Sequence, residues 1–152
     1  MKTITRLPDS EALCVLVVDD SYDAAMSLSM LLKLRGHHVL TASHGQQAIE
    51  LAAEFLPDAV LLDLAMPKMT GYDVIADLRR RPEFKDTLVI ALSGYGDEGE
   101  MSRSRQAGFD AHLLKPASFE DVDRLLATCS LESPRGGSRL PNSERASRPT
   151  EA

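Results

Sequence analysis

Nowhere in this 152-residue chain is there an unbroken run of about 18 apolar residues, the length a membrane-spanning helix needs. The opening stretch, Met1-Lys2-Thr3-Ile4-Thr5-Arg6-Leu7-Pro8, has no apolar signal core. These two absences make the cytoplasm the expected compartment and leave no membrane partner. Cysteine is scarce. Cys14 and Cys129 have neither Cys-x-x-Cys spacing nor a neighbouring ligand cluster, so no zinc site is assigned and both are expected to be buried thiols. A basic excess is missing as well: 17 Lys and Arg stand against 23 Asp and Glu, a formal net charge of −6 that argues against nucleic acid as a partner.

What is present suits an ordinary globular protein. The length corresponds to about one domain, able to bury roughly two-thirds of its unfolded surface without a disulfide or metal staple. Apolar runs alternate with helical patterns five times. Strands are expected at 13–18, 38–42, 59–63, 87–92 and 111–114. Between them, helix one (about 22–35) places Ala24, Leu28, Leu31 and Leu32 on one face and stops at Gly36. Helix two carries Ala48, Leu51, Ala52 and Phe55 and ends before Pro57, and helix three presents Gly71, Val74, Ile75 and Leu78. Helix four, roughly 97–107, has almost no apolar face and is expected to dock weakly. Helix five, 118–130, would bury Phe119, Val122, Leu125 and Leu126. Near-continuous apolar strands joined by helices predict an α/β fold, a doubly wound parallel sheet covered on both faces. Residues 1–10 read as an N-terminal extension and 11–131 as the folded domain. From Ser133 onward the chain is rich in Pro, Gly, Ser and Arg, so 132–152 reads as a disordered tail.

Four of the strands end in residues suited to phosphoryl chemistry. Val17-Val18 runs into Asp19-Asp20, Leu61-Leu62 into Asp63, Leu92 into Ser93, and Leu113-Leu114 into Lys115-Pro116. Open parallel sheets bind ligands outside the carboxyl ends of their strands, at the point where the winding reverses. In a five-stranded sheet ordered 2-1-3-4-5, strands one and three are neighbours, and Asp19, Asp20 and Asp63 would converge. Such crowding is unfavourable unless a cation neutralises it or one carboxyl keeps a proton. An all-oxygen pocket suits Mg²⁺ better than zinc. Asp63 can also attack a phosphoryl group to give an aspartyl phosphate. Lys115 would then supply a point charge, Ser93 a hydroxyl donor, and Gly94 a close backbone approach.

Together with Leu64-Ala65-Met66-Pro67, Gly71-Tyr72 and Ala107-Gly108-Phe109-Asp110-Ala111, these motifs resemble the receiver domain of two-component response regulators over about residues 11–131. The resemblance implies a flavodoxin-like (βα)5 fold of order 2-1-3-4-5. It implies a phosphorelay switch in which a histidine kinase phosphorylates Asp63 in a Mg²⁺-dependent step. It implies metal ligation by Asp20, Asp63 and the Ala65 carbonyl, with Asp19 acting through water. Phosphoryl contacts would come from Ser93, Lys115 and the amides of Ala65 and Gly94, and the Lys115–Pro116 peptide would be cis. The output would be a shift of the surface formed by helix four, strand five and helix five, read by a histidine phosphotransfer domain or an effector protein. No output domain is expected within this length, which leaves a single-domain regulator or a receiver of the hybrid-kinase type.

This sequence departs from the family at two kinds of position. Ser93 stands where Thr is frequent, and His112 stands at the aromatic switch position three residues before Lys115. Ala65 cannot orient a hydrolytic water and Tyr95 can obstruct one, so slow to moderate autodephosphorylation is expected. Ala65 also replaces the acid/base Asp that a haloacid-dehalogenase-type phosphatase would need, so no enzyme turning over a substrate is predicted. An FMN binder would need a hydroxyl- and Gly-rich loop where Asp19-Asp20 stands.

Overall fold

The computed structural model describes residues 4–94, 96 and 98–132 of the chain. Strand β1 (Cys14–Val18) is buried along its whole length and lies inside the sheet, with β2 (His38–Ala42) on one side and β3 (Ala59–Asp63) on the other. β4 (Leu88–Ser93) and β5 (Ala111–Leu114) complete a parallel five-stranded sheet of order β2-β1-β3-β4-β5. The sheet is therefore the doubly wound arrangement expected from the sequence.

Strand periodicity divides the core into two. Leu16, Val18, Val60, Leu62, Val89 and Ala91 face one way, against α2 (Gly45–Phe55) and α3 (Gly71–Arg79). Val15, Val17, Leu61, Ile90 and Leu92 face the other way, against α1 (Tyr22–Arg35) and α5 (Phe119–Glu132). The buried edge of α1 is Ala25, Ser29 and Leu32, with Leu28 alongside, while Ala24 and Leu31 are only half-buried. The observed stripe keeps Leu28 and Leu32 of the predicted one and is otherwise rotated by about one residue, with Ala25 and Ser29 turned to the sheet. Neither cysteine is in a disulfide, and both are buried.

Local chemistry fixes the helix ends. Ser21 caps α1 by accepting the Ala24 amide, and Gly36 closes it at a φ of 111°. Thr70 and Asp73 form a reciprocal capping box at the start of α3. Two short 3-10 turns, Asp9–Glu11 and Pro82–Phe84, add to the predicted elements, and the second sinks Phe84 into the core. Part of the N-terminal extension docks on the domain: the Leu7 amide donates to the Arg35 carbonyl at 2.7 Å and the Arg35 guanidinium donates to the Thr5 carbonyl. At the other end α5 runs to Glu132, and 133–152 lie outside the described residues. Among the described residues no helix is long and apolar enough to cross a membrane.

The polar α4 (Glu98–Ala107) buries only Ser104 fully. It is held from α3 by an aromatic and ionic latch instead of an apolar stripe. The Tyr72 hydroxyl donates to Glu100 at 2.9 Å, and the Arg103 guanidinium sits 4.2 Å above the Tyr72 ring centroid. Tyr72 in turn meets Phe109 edge-to-face at 6.0 Å. Burial, reinforced by the Glu100 carboxylate, pushes the Tyr72 phenol up to about 12.

Candidate functional site

The strand ends converge because β1, β3, β4 and β5 are adjacent and parallel. Val18 pairs with Leu62, Asp63 with Leu92 and Ser93 with Leu114, so residues just beyond these pairs share one edge of the sheet. Backbone bonds past the strands hold that edge in place. The Asp19 amide donates to the Ala42 carbonyl at 3.1 Å, Leu64 to Leu92 at 2.9 Å and Lys115 to Ser93 at 2.8 Å.

Asp19, Asp20 and Asp63 each bring a carboxylate oxygen to within 4.8 Å of the other two. Asp19 and Asp63 are buried and Asp20 is exposed. Asp19 Oδ1 accepts the Ser21 amide at 2.9 Å, and Asp63 Oδ1 accepts the Ala65 amide at 3.1 Å. Lys115 Nζ lies 2.9 Å from Asp19 Oδ2 and 3.4 Å from Asp63 Oδ2. Three carboxylates therefore face a single ammonium. Burial raises the Asp63 carboxyl above the ordinary range, and nearby Asp19 adds to this. The Ala65 amide and Lys115 pull the other way without cancelling it. For Lys115 burial works against the charge, but the bond to Asp19 and the attraction of both carboxylates prevail, so its ammonium is held above the usual lysine value. The donors are all oxygens and carry excess negative charge, one carboxylate is open to solvent, and no His or Cys is among them. That set fits Mg²⁺, which takes a few carboxylates and retains waters.

The loop after Asp63 is tightly specified. Leu64 and Met66 are anchored in the core while Ala65 between them is exposed. Gly71 opens α3 directly against this loop. Its amide donates to the Leu64 carbonyl at 3.1 Å, and a Cβ there would fall 2.7 Å from the Asp63 carbonyl oxygen. Only glycine tolerates that approach. A Cβ on Gly94, by contrast, would meet nothing within 4 Å, so the exposed space beside it is open. The Lys115–Pro116 peptide is cis. Tyr95, expected to flank the pocket and slow hydrolysis, lies outside the described residues.

Ser93 is buried, with Oγ 2.6 Å from Nε2 of His112. The other ring nitrogen, Nδ1, lies 2.9 Å from Ser104 Oγ in α4. The structure thus brings together Asp19, Asp20, Asp63, Ala65 and Lys115, and joins Ser93 to His112 beside them. Ser104 is the part that sequence reasoning missed, and Gly71, present in the Gly71-Tyr72 motif, was given no role beside Asp63. A signal existed for Gly71, a glycine straight after the capping threonine. Ser104 gave none, since nothing distinguishes it from the other polar residues of its helix.

Residues 15–127 match the response regulator receiver domain family. The transcriptional regulatory protein KdpE of Mycobacterium tuberculosis is 37% identical over 128 residues, covering 79% of this chain and 55% of that protein. Protein PilG of Pseudomonas aeruginosa is 34% identical over 113 residues, covering 74% of this chain and 84% of PilG. Among solved structures, the Vibrio cholerae chemotaxis protein CheY4 superposes with a TM-score of 0.72 at 28% identity, over 76% of this chain and 96% of CheY4. The chain spans about half the length of the transcriptional regulators it matches.

Proposed function

The chain belongs to the response regulator receiver domain family, and from that premise we propose that it is a phosphorylation switch with Asp63 as phosphoacceptor. One observation carries the reading. A buried Asp63 shares its pocket with two further carboxylates and with the Lys115 ammonium, at the sheet edge where the winding reverses. Phosphoryl transfer is mostly positioning and charge neutralisation, and this pocket offers both.

An Asp63 carboxylate oxygen attacks the phosphorus of a phosphohistidine on a histidine kinase. The P–O bond forms as the P–N bond breaks, and the imidazole leaves with a proton. Asp20, Asp63 and the Ala65 carbonyl would hold Mg²⁺, with Asp19 acting through water. When bound, the ion neutralises the crowded carboxylates and the charge of the transferring group. Lys115 is already within 3.4 Å of Asp63 and pairs with a phosphoryl oxygen. Ser93 donates its hydroxyl, and the Ala65 and Gly94 amides complete the cradle. Phosphorylation replaces the single negative charge of the Asp63 carboxylate with a phosphoryl group carrying up to about two. The surface of α4, β5 and α5 then shifts between two populations and is read by an effector or a histidine phosphotransfer domain.

The test is incubation with acetyl phosphate and Mg²⁺, followed by intact mass measurement. The wild type should gain one phosphoryl group, and Asp63→Asn should gain none. Unchanged labelling of Asp63→Asn would remove Asp63 from its role.

A further inference from the structure

Two described residues other than glycine hold a positive φ, Leu56 at 49° and Lys68 at 67°. Leu56 is the left-handed cap of α2, an ordinary way for a helix to end. Lys68 ends no helix. It lies in the loop from Asp63 to α3, where the Met69 amide donates to the Pro67 carbonyl at 2.7 Å across it. A three-residue turn with that bond and a positive central φ is the rare, strained form of the γ-turn. Such a conformation persists only where its surroundings over-determine it. Beyond the turn, Thr70 is fixed by its capping box with Asp73. Within it, Pro67 and Lys68 are exposed, and Met69 is the residue that packs on the domain, against the α2–α3 side of the core.

The seat of Met69 is Gly45, the buried first residue of α2. A Cβ at Gly45 would fall 2.6 Å from Met69 Sδ, 2.7 Å from its Cγ and 2.9 Å from its Cβ. The thioether chain therefore lies flat across a notch that any side chain would fill. Gly45 is not among the glycines with a positive φ, so close approach is what requires glycine here. We propose that Met69, seated on Gly45, is a clamp that holds Lys68 in its strained turn, which makes Met69 and Gly45 positioning residues for the acidic pocket. This rests on the metal and phosphoacceptor reading above. The route is short. The Gly71 amide closes the loop onto the Leu64 carbonyl at 3.1 Å, and Leu64 and Met66 are anchored in the core. If Met69 leaves its seat, Lys68 relaxes to a negative φ and the turn reverses. With the other points tied, the displacement falls on the unanchored residues, Ala65 among them. Ala65 gives its amide to Asp63 Oδ1 and carries the carbonyl proposed for Mg²⁺. Gly45 follows β2, a strand that contributes no side chain to the pocket, so its influence on the metal passes through Met69.

Four full-length chains test the clamp: the wild type, Gly45→Ala, Met69→Ala, and Gly45→Ala combined with Lys68→Gly. Alanine is a better helix former than glycine, so Gly45→Ala leaves α2 itself intact. The first readout is NMR without metal. A positive φ brings an amide proton close to its own Hα and gives a strong cross-peak within the residue. Lys68 should show that cross-peak in the wild type and lose it in Gly45→Ala and in Met69→Ala. Its retention in either single variant overturns the clamp, whatever the metal does. The second readout is Mg²⁺ affinity by isothermal titration. Both single variants should bind roughly tenfold more weakly, the scale expected when a residue supporting a metal ligand is lost. Adding Lys68→Gly should restore the affinity of Gly45→Ala, since glycine adopts a positive φ without a clamp. A deficit that Lys68→Gly leaves in place overturns the clamp, because the damage then runs through α2 and not through the turn. Unchanged affinity in the single variants overturns it as well. A wild type that binds no Mg²⁺, or that binds it equally well after Asp20→Asn, overturns the pocket reading instead, and the Lys68 cross-peak still decides whether Met69 holds the turn.

Discussion

His37 should make the fold acid-sensitive in a window set by one ring. It is buried just before β2, its Nδ1 accepts the Leu13 amide at 3.0 Å, and its Nε2 has no hydrogen-bond partner among the described residues. Protonation would turn Nδ1 into a donor facing the Leu13 N–H. Burial lowers the ring from 6.5 to about 4, with the attraction of Asp123 opposing it and Arg35 adding to it. Unfolded chains therefore bind a proton at this residue well before the folded state does. The neutral ring's contribution is fully present above pH 6.5 and declines as pH falls towards 4. At about 1.4 kcal/mol per pH unit the whole window is worth about 3 kcal/mol, and about 2 kcal/mol is lost between pH 7 and pH 5. Against a typical stability of roughly 5–15 kcal/mol, a loss of that size is easily measured. The assay is urea unfolding at both pH values for the wild type and His37→Gln, whose amide oxygen can still accept from Leu13. Distant carboxylates cancel in the difference. An acid loss in His37→Gln equal to that of the wild type would refute the reasoning, as would a directly observed His37 titration near 6.5.

Three further outcomes concern the acidic pocket. Mg²⁺ should raise the melting temperature, by about 1.4 kcal/mol of stability per tenfold excess over its dissociation constant, and a chelator should reverse this; Asp20→Asn should abolish the shift. Because burial and Asp19 raise the Asp63 carboxyl, its ionisation opposes folding when metal is absent. Asp63→Asn should therefore unfold at higher urea than the wild type in metal-free buffer near neutral pH, with the gain shrinking as pH falls towards the ordinary carboxylate range. Gly71→Ala forces a Cβ towards the Asp63 carbonyl, so isothermal titration should show weakened Mg²⁺ binding, whereas Gly94→Ala at its open position should leave that affinity unchanged.

Much of this architecture is legible in the sequence because strand and site signals coincide. Apolar runs that end in Asp19-Asp20, Asp63, Ser93 and Lys115 carry both the sheet and the pocket, and the parallel pairing brings their ends together. Other features depend on distances that no local pattern encodes. Ser104 looks like any residue of a solvated helix, and only the packing of α4 against β5 puts it on His112. Phe84 follows a proline in a short polar stretch, and its burial is set by the space beside β4 and α3. Thr5 and Leu7 have no periodicity, yet their backbone meets Arg35 at the end of α1. Weak docking of α4 was expected from its missing apolar face. The latch of Tyr72, Glu100 and Arg103 that holds it was not, because it joins side chains of two successive helices across β4 and no local pattern encodes that pairing.

The most direct measurement is localisation of the phosphoryl group. After treatment with acetyl phosphate and Mg²⁺, borohydride reduces an aspartyl phosphate to homoserine, which peptide mass spectrometry can place. Homoserine at position 63, with Asp19 and Asp20 intact, is the predicted result. Homoserine at position 19 or 20, or none when Mg²⁺ is present, would contradict the assignment of Asp63 as phosphoacceptor.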